Sequence, residues 1–237
     1  MITKVFKNLD AQGIRDSVEV FEKRSKNPRS SCSQVDSVPV MNQMDLQNSL
    51  QQHLEMKNLK EAVMDLLNNR DGLALGICNG FQALIKLGLV PEGKIVEQNA
   101  KSPTLTTNRI GRHISKVAYT RIASNLSPWF NNVHVDDIFS IPVSHGEGRF
   151  VADEDVIQKL FENGQVATQY VDLNGDPTMN EEFNPNGSYH AIEGITSPDG
   201  RVLGKMGHSE RRDSYVGINI YGQKDQKIFE SGVEYFK

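Results

Sequence analysis

The sequence predicts an α/β protein, with a largely parallel, doubly wound sheet that carries helices on both faces. Two observations predict this class: short apolar runs bounded by turn residues, and segments of helical periodicity that alternate with them. The run 72–77 is typical of a buried parallel strand, and residues 81–87 after it have the pattern of a helix. In such sheets, the active site lies beyond the carboxyl ends of the strands.

The remaining elements follow the same alternation. Leu59, Val63, Leu66 and Leu67 recur at helical spacing and predict a helix that ends near Asn69. Asn163-Gly164 predicts a helix end, and Asp199-Gly200 predicts a turn between strands. The other predicted strands are 115–122, 138–143, 166–172, 191–196 and 201–206, and the other predicted helices are 154–162 and 225–236.

Composition excludes several classes of partner. The 237 residues include 26 basic and 30 acidic side chains, which give a net charge of -4. This excess of negative charge disfavours binding to nucleic acid or anionic lipid. Neither a membrane-spanning stretch nor a signal-peptide pattern occurs, and we expect a cytoplasmic protein. The two cysteines, Cys32 and Cys78, lack C-x-x-C spacing, so we expect no zinc site and no disulfide framework.

Sequence texture divides the chain into three parts. Residues 23–57 are rich in serine and glutamine and lack a sustained period, which indicates a disordered or otherwise aberrant segment. Residues 1–22 are interpreted as a residual N-terminal strand and helix. Residues 58–237 have the pattern of a packed α/β domain.

The most specific local motif is Gly76-Ile77-Cys78-Asn79-Gly80-Phe81-Gln82, where a strand passes through Gly-x-Cys-x-Gly into a helix. This is the nucleophile-elbow pattern, in which a sharp turn exposes a nucleophile at the sheet edge. The helix N-terminus favours the thiolate, and the Asn79 N–H can face a developing oxyanion. The alternative is a buried structural cysteine between two packing glycines.

A nucleophile of this kind needs a base, and His208 is the strongest of six histidine candidates. Gly207-His208-Ser209-Glu210 follows a predicted strand, so an imidazole and a carboxylate stand two residues apart just past its end. Such a carboxylate fixes the histidine tautomer and stabilises the imidazolium. Taken alone, the same pattern is also typical of a solvated surface pair.

These residues resemble the triad of class I glutamine amidotransferases. The segments 142–149, 184–188 and 204–211 are similar to the glutaminase domain at the C-terminus of single-chain phosphoribosylformylglycinamidine synthases. The resemblance implies a flavodoxin-like fold with Cys78, His208 and Glu210 as catalytic residues. It also implies that Asn79, Gly80 and Gln82 support the elbow and bind substrate. The sequence itself leaves 145–149 open, as a functional loop or as a glycine-rich turn.

The resemblance further implies hydrolysis of glutamine through a cysteinyl thioester. The ammonia would pass to a synthetase domain, fused or on another chain, where ATP and magnesium drive formylglycinamidine ribonucleotide formation in purine biosynthesis. No cofactor is expected in the glutaminase domain itself. Two other functions stay open: another Cys-His-Glu hydrolase such as a peptidase, and an inactive remnant that only docks on a synthetase.

The sequence departs from the family pattern near its start. A buried N-terminal strand and a Pro-Gly-Gly-Phe-Ser loop that supplies oxyanion N–H groups are missing. Read one frame over, codons permitted for residues 29–45 can encode that loop, so we hypothesise a compensated frameshift within the Ser/Gln-rich segment. Loss of an oxyanion donor typically raises the barrier by roughly 3 to 4 kcal/mol, which puts the activity of this chain in question.

Overall fold

The computed structural model describes residues 18–21, 57–213 and 215–237. Our interpretations of residues 1–17 and 22–56, including the frameshift hypothesis, lie outside these ranges and stay predictions. A first strand, β1, does occupy Val18–Phe21 and pairs with the strand before Cys78.

Most predicted elements lie where the sequence placed them. Within the described ranges, no helix is long and apolar enough to cross a membrane. The strands after β1 are β2 Leu73–Ile77, β3 Thr104–Thr107, β4 Ile114–Ile122, β5 Ile138–His145, β6 Glu147–Val151, β7 Val166–Tyr170, β8 Ile192–Thr196 and β9 Val202–Lys205. The helices are α1 Lys57–Asn68, α2 Asn79–Leu87, the single turn α3 Leu89–Glu92, α4 Glu154–Glu162 and α5 Ile228–Glu234, with 3-10 turns at Pro128–Phe130 and Tyr189–Ala191.

The main sheet is mixed, which corrects the expectation of a largely parallel one. Its order is β1-β2-β9-β8-β7-β4-β5, and among these described strands only the β2–β9 pairing is parallel. The reason is visible between β8 and β9, where Gly200 hydrogen-bonds to the carbonyl of Ser197 in a short turn. A parallel connection needs a crossover of a dozen or more residues, whereas a short turn returns the chain antiparallel.

Glycines let helix α2 pack closely onto strands β2 and β9. A Cβ at Gly204 would overlap the Phe81 ring, coming 2.8 Å from its Cε2 atom. A Cβ at Gly76 would lie 2.7 Å from the carbonyl oxygen of Gly80. Both contacts are closer than any side chain allows, so the sequence of these strands fixes the distance between the sheet and the helix that starts at the elbow.

A second pair of strands, β3 and β6, was not predicted. Leu105 of β3 lies opposite Phe150 of β6, and both side chains are buried. Sequence patterning missed them because the strands are only four and five residues long, and β6 follows β5 after the single residue Gly146, so its start is not marked by a separate turn.

The packing of α2 on β9 gives a stability prediction. Gly204→Ala should lower the free energy of unfolding by about 1 to 3 kcal/mol, because its methyl group overlaps the fully buried Phe81 ring. Urea unfolding measures the change. Gly146→Ala is the matched control, since the nearest atoms to a Cβ there, Cα and N of His113, lie 4.0 Å away. Equal losses in both variants would contradict this packing account.

Candidate active site

The elbow has the strained turn that its sequence predicts. Cys78 adopts φ 53° and ψ -105°, a conformation that side-chain-bearing residues rarely occupy. The turn also brings Gly76 and Gly80 together, and a Cβ at Gly76 would lie 2.5 Å from Leu84 Cδ1. Strain of this kind persists only where the surroundings enforce it, here the packing of α2 on the sheet.

The parallel pairing of β2 and β9 places Cys78 beside the His208 loop. Ile77 pairs with Lys205, and the backbone N–H of Cys78 donates to the Lys205 carbonyl oxygen at 2.8 Å. The carboxyl ends of both strands therefore meet at one edge of the sheet. His208, three residues beyond β9, is anchored there by its N–H, which donates to the Pro142 carbonyl oxygen of β5 at 2.8 Å.

The thiol of Cys78 is buried and protonated at neutral pH. Burial raises its pKa to about 11, against the smaller lowering effects of the Asn79 N–H and the Arg211 charge. This corrects our expectation that the helix N-terminus would favour the thiolate. Desolvation outweighs the dipole because only 7% of the residue's surface is exposed. The sulfur lies 3.8 Å from the carbonyl oxygen of Ser144.

His208 and Glu210 form the predicted imidazole–carboxylate pair. Nδ1 of His208 lies 2.5 Å from Oε1 of Glu210. Burial by itself raises the pKa of the Glu210 carboxyl, but the hydrogen bond from His208 and the charge of that ring outweigh it, and the net pKa is lowered. An ionised Glu210 accepts a hydrogen bond from Nδ1–H, so Nε2 is the ring nitrogen left to exchange a proton.

Unpartnered polar atoms cluster around this pair. Of the five buried side-chain nitrogen and oxygen atoms without a hydrogen-bond partner in the described ranges, three are Nε2 of His208, Oε2 of Glu210 and Nε2 of His145. Buried polar atoms are normally satisfied, so such a cluster indicates a place where a bound molecule completes the hydrogen bonding. The alternative of a solvated surface pair does not fit, because the His208 side chain is 8% exposed.

His145 is a neutral histidine whose place in the site the sequence did not establish. Burial, and then the nearby charges of His208 and His113, lower its pKa to about 4. Its Nδ1 lies 3.1 Å from Oδ1 of Asn108, whose Nδ2 in turn donates to the His145 carbonyl oxygen at 2.8 Å. This reciprocal pair orients the ring. The only signal in the sequence was that this histidine stands at the end of an apolar predicted strand.

A buried turn at residues 184–188 supports strand β6. Asn184, Asn186 and Ser188, which the sequence identified as turn residues, are all essentially inaccessible to solvent. Nδ2 of Asn186 donates to the Gly148 carbonyl oxygen at 2.7 Å, and Oγ of Ser188 accepts from the Phe150 N–H at 3.0 Å. The segment 145–149 is therefore a bend at Gly146 that joins the end of β5 to the start of β6, held by the buried turn, rather than a free surface turn.

The residues predicted to contact substrate lie around Cys78. Asn79 begins α2 with its N–H towards the sulfur, and Gly80 packs against Gly76. Gln82 is buried, and its Nε2 donates to the carbonyl oxygen of Glu147, so it joins α2 to the start of β6. Their contact with a substrate stays a prediction. Within the described ranges, no group of three or more His, Cys, Asp or Glu side chains is placed to hold a metal ion.

Comparison with known proteins identifies the family of this chain. Residues 43–236 match the family of CobB/CobQ-like glutamine amidotransferase domains. Phosphoribosylformylglycinamidine synthase subunit PurQ of Salinibacter ruber is 40% identical over 161 residues, which cover 68% of this chain and 61% of that protein. The corresponding subunit of Prochlorococcus marinus is 41% identical over 143 residues, which cover 60% and 56%.

The chain thus spans about three fifths of the length of these curated relatives. A solved structure of PurLQS from Thermotoga maritima is 31% identical, with a TM-score of 0.48, over 68% of this chain and 60% of that one. The family match extends over most of the sequence and confirms the predicted α/β amidotransferase fold and the resemblance that led to it. The chain belongs to the CobB/CobQ-like glutamine amidotransferase family.

Proposed function

We propose that this chain is the glutaminase part of phosphoribosylformylglycinamidine synthase. It hydrolyses glutamine through a cysteinyl thioester and supplies ammonia for the ATP-dependent conversion of formylglycinamide ribonucleotide to formylglycinamidine ribonucleotide. The observation that carries the proposal is the β2–β9 pairing, which sets the Cys78 elbow beside the His208–Glu210 pair. The relatives named as subunits of that synthase support the choice of reaction.

The reaction begins with the Cys78 thiol protonated. Sγ of Cys78 attacks the carboxamide carbon of glutamine while its proton moves to Nε2 of His208, which has no hydrogen-bond partner of its own. Glu210 stabilises the imidazolium through Nδ1–H. The imidazolium protonates the departing nitrogen, the C–N bond breaks, and ammonia leaves a glutamyl thioester on Cys78.

Water completes the cycle. With His208 again neutral, Nε2 accepts a proton from a water molecule that attacks the thioester carbon, and the thiol is regenerated as glutamate leaves. The Asn79 N–H, already directed at the sulfur, is the donor best placed for the oxyanion in both halves. Because burial raises the thiol pKa to about 11, attack without His208 would be very slow at neutral pH.

The ammonia acceptor requires a synthetase partner. ATP and magnesium would act there rather than in the glutaminase domain, and the synthetase would be fused to this domain or supplied as another chain. A cytoplasmic location fits an enzyme of purine biosynthesis. The experiments below therefore use the full chain with a synthetase subunit, ATP and formylglycinamide ribonucleotide present wherever turnover is measured.

Cys78→Ser should abolish glutamate release, because the hydroxyl is a much weaker nucleophile under the same base. A glutamine-mimicking diazoketone should label wild-type protein once, on Cys78, as peptide mapping by mass spectrometry would report. Cys32→Ser, the change at the other cysteine, is the control and should still be labelled. A peptidase would ignore the diazoketone, and a docking remnant would release no glutamate even with every partner supplied.

The reactivity of Cys78 towards iodoacetamide should rise about tenfold per pH unit between pH 7 and 10 in the free chain. The thiolate is the reactive form, and its fraction rises about tenfold per pH unit as long as the pH stays well below the pKa of about 11. Rates measured by loss of free thiol in a Cys32→Ser background would show this slope. A rate that levels off near neutral pH would contradict the buried, protonated resting state.

Glu210→Gln should lower the rate of glutamate release by roughly 10³- to 10⁴-fold, because an amide no longer enforces the required histidine tautomer. Steady-state assay of glutamate measures the loss, and the glutamine KM should change little. Glu97→Gln alters an exposed carboxylate outside the site and serves as the control. Equal rates in the two variants would remove Glu210 from the mechanism.

A further inference from the structure

A buried ion pair lies beneath the His208 loop. Lys205, at the end of β9, and Glu193, on the neighbouring strand β8, are both fully inaccessible to solvent. Nζ of Lys205 lies 3.3 Å from Oε1 of Glu193. Moving two charges out of water is costly, and a pair of this kind is often no better for stability than two apolar residues. Stability alone therefore does not explain why this ion pair is buried here.

The pair holds the backbone before His208 and a side chain after it. The Gly207 N–H donates to Oε1 of Glu193 at 2.5 Å, and the Gly207 carbonyl oxygen accepts from Nζ of Lys205 at 2.8 Å. Nζ of Lys205 also donates to Oγ of Ser209 at 2.9 Å. Gly207 is thus tied to both charges and Ser209 to Lys205, so a shift of the histidine between them strains these bonds.

The residue at position 207 fits this arrangement closely. A Cβ there would come 2.9 Å from Oε1 of Glu193, 3.1 Å from Nζ of Lys205 and 2.7 Å from Cγ2 of Ile141. A side chain would force the loop away from the ion pair. Glycine at position 207 is therefore what allows the loop to approach the ion pair this closely.

The ion pair is itself anchored to two other parts of the fold. Oγ of Thr168, on β7, donates to Oε2 of Glu193. Oγ of Ser209 donates to Oε1 of Gln226 at 2.5 Å, just before α5. The loop is thereby connected through the pair to the centre of the sheet. Loop atoms held in this way have little freedom to move relative to β2 and the elbow.

We propose that Lys205 and Glu193 are positioning residues that fix Nε2 of His208 for proton exchange with Cys78. The inference rests on the proposed glutaminase function and names two residues that it did not include. Neither side chain would touch glutamine. They act by holding the N–H and carbonyl groups of Gly207 and the hydroxyl of Ser209. Displacement of a reacting group by about 1 Å can cost roughly a hundredfold in rate.

A double variant separates positioning from stability. Lys205→Met with Glu193→Leu removes both charges together, so neither is left buried without its partner, and the urea midpoint shows whether the variant is folded under the assay conditions. Glutamate release should nevertheless fall about 100-fold in kcat, with the glutamine KM within threefold of wild type. A kcat within twofold of wild type, in a folded double variant, would overturn the proposal.

A milder variant decides the matter if the double variant does not fold. Ser209→Ala removes one ligand of Lys205 and the link to Gln226 while leaving the ion pair in place. We expect about a tenfold lower kcat with an unchanged glutamine KM. An unchanged kcat for Ser209→Ala would then overturn the proposal.

A spectroscopic readout keeps this inference separate from the proposed function. In protein with ¹⁵N-labelled histidine, Nδ1–H of His208, held 2.5 Å from Glu210, should give a downfield proton resonance, assigned by its loss in His208→Asn. The double variant should lose that resonance to exchange with water. Wild type that shows the resonance but releases no glutamate would refute the glutaminase function alone. An unaltered resonance in the double variant would refute positioning.

Discussion

The pairing of β2 with β9 is the constraint on which the site depends. It is the one parallel contact among the described strands of the main sheet, and it brings two carboxyl ends to the same edge. The Cys78 N–H extends the pairing by donating to the Lys205 carbonyl oxygen. Nucleophile and base are far apart in sequence, yet each follows directly from one of two hydrogen-bonded strands. A change in the register of this pair would separate them.

Burial gives the site its second property, which is that the Cys78 thiol and the His145 ring are uncharged before reaction. The same desolvation raises the pKa of Cys78 and lowers that of His145. The charges near them belong to Glu210, which the His208 ring stabilises, to Arg211, and to the deeper pair of Lys205 and Glu193. A resting thiol in such surroundings reacts only when a substrate and a correctly placed imidazole are both present. Precise placement of His208 therefore matters more here than it would for a free thiolate.

Sequence patterning predicted the elements that carry the site and missed much of what surrounds it. The elbow was predictable because two glycines and a strand-to-helix change in period are local signals, and His208-x-Glu210 was found because it follows a strand. The sheet's mixed character was missed because helices and strands alternate along the chain in both parallel and mixed sheets. The thiolate expectation was wrong because dipole effects can be read from sequence, whereas desolvation depends on the whole fold. Glu193 and Lys205 did leave a trace, as opposite charges inside two apolar strands, but their partnership needs the register of β8 and β9.

The covalent intermediate tests the central claim most directly. The full chain, mixed with glutamine, a synthetase subunit, ATP and formylglycinamide ribonucleotide, would be quenched in acid within milliseconds to seconds and mapped by mass spectrometry. The account predicts a glutamyl adduct on the peptide that contains Cys78, and its accumulation when thioester hydrolysis is slowed. Glutamate release without any adduct on Cys78, or an adduct on another residue, would contradict it.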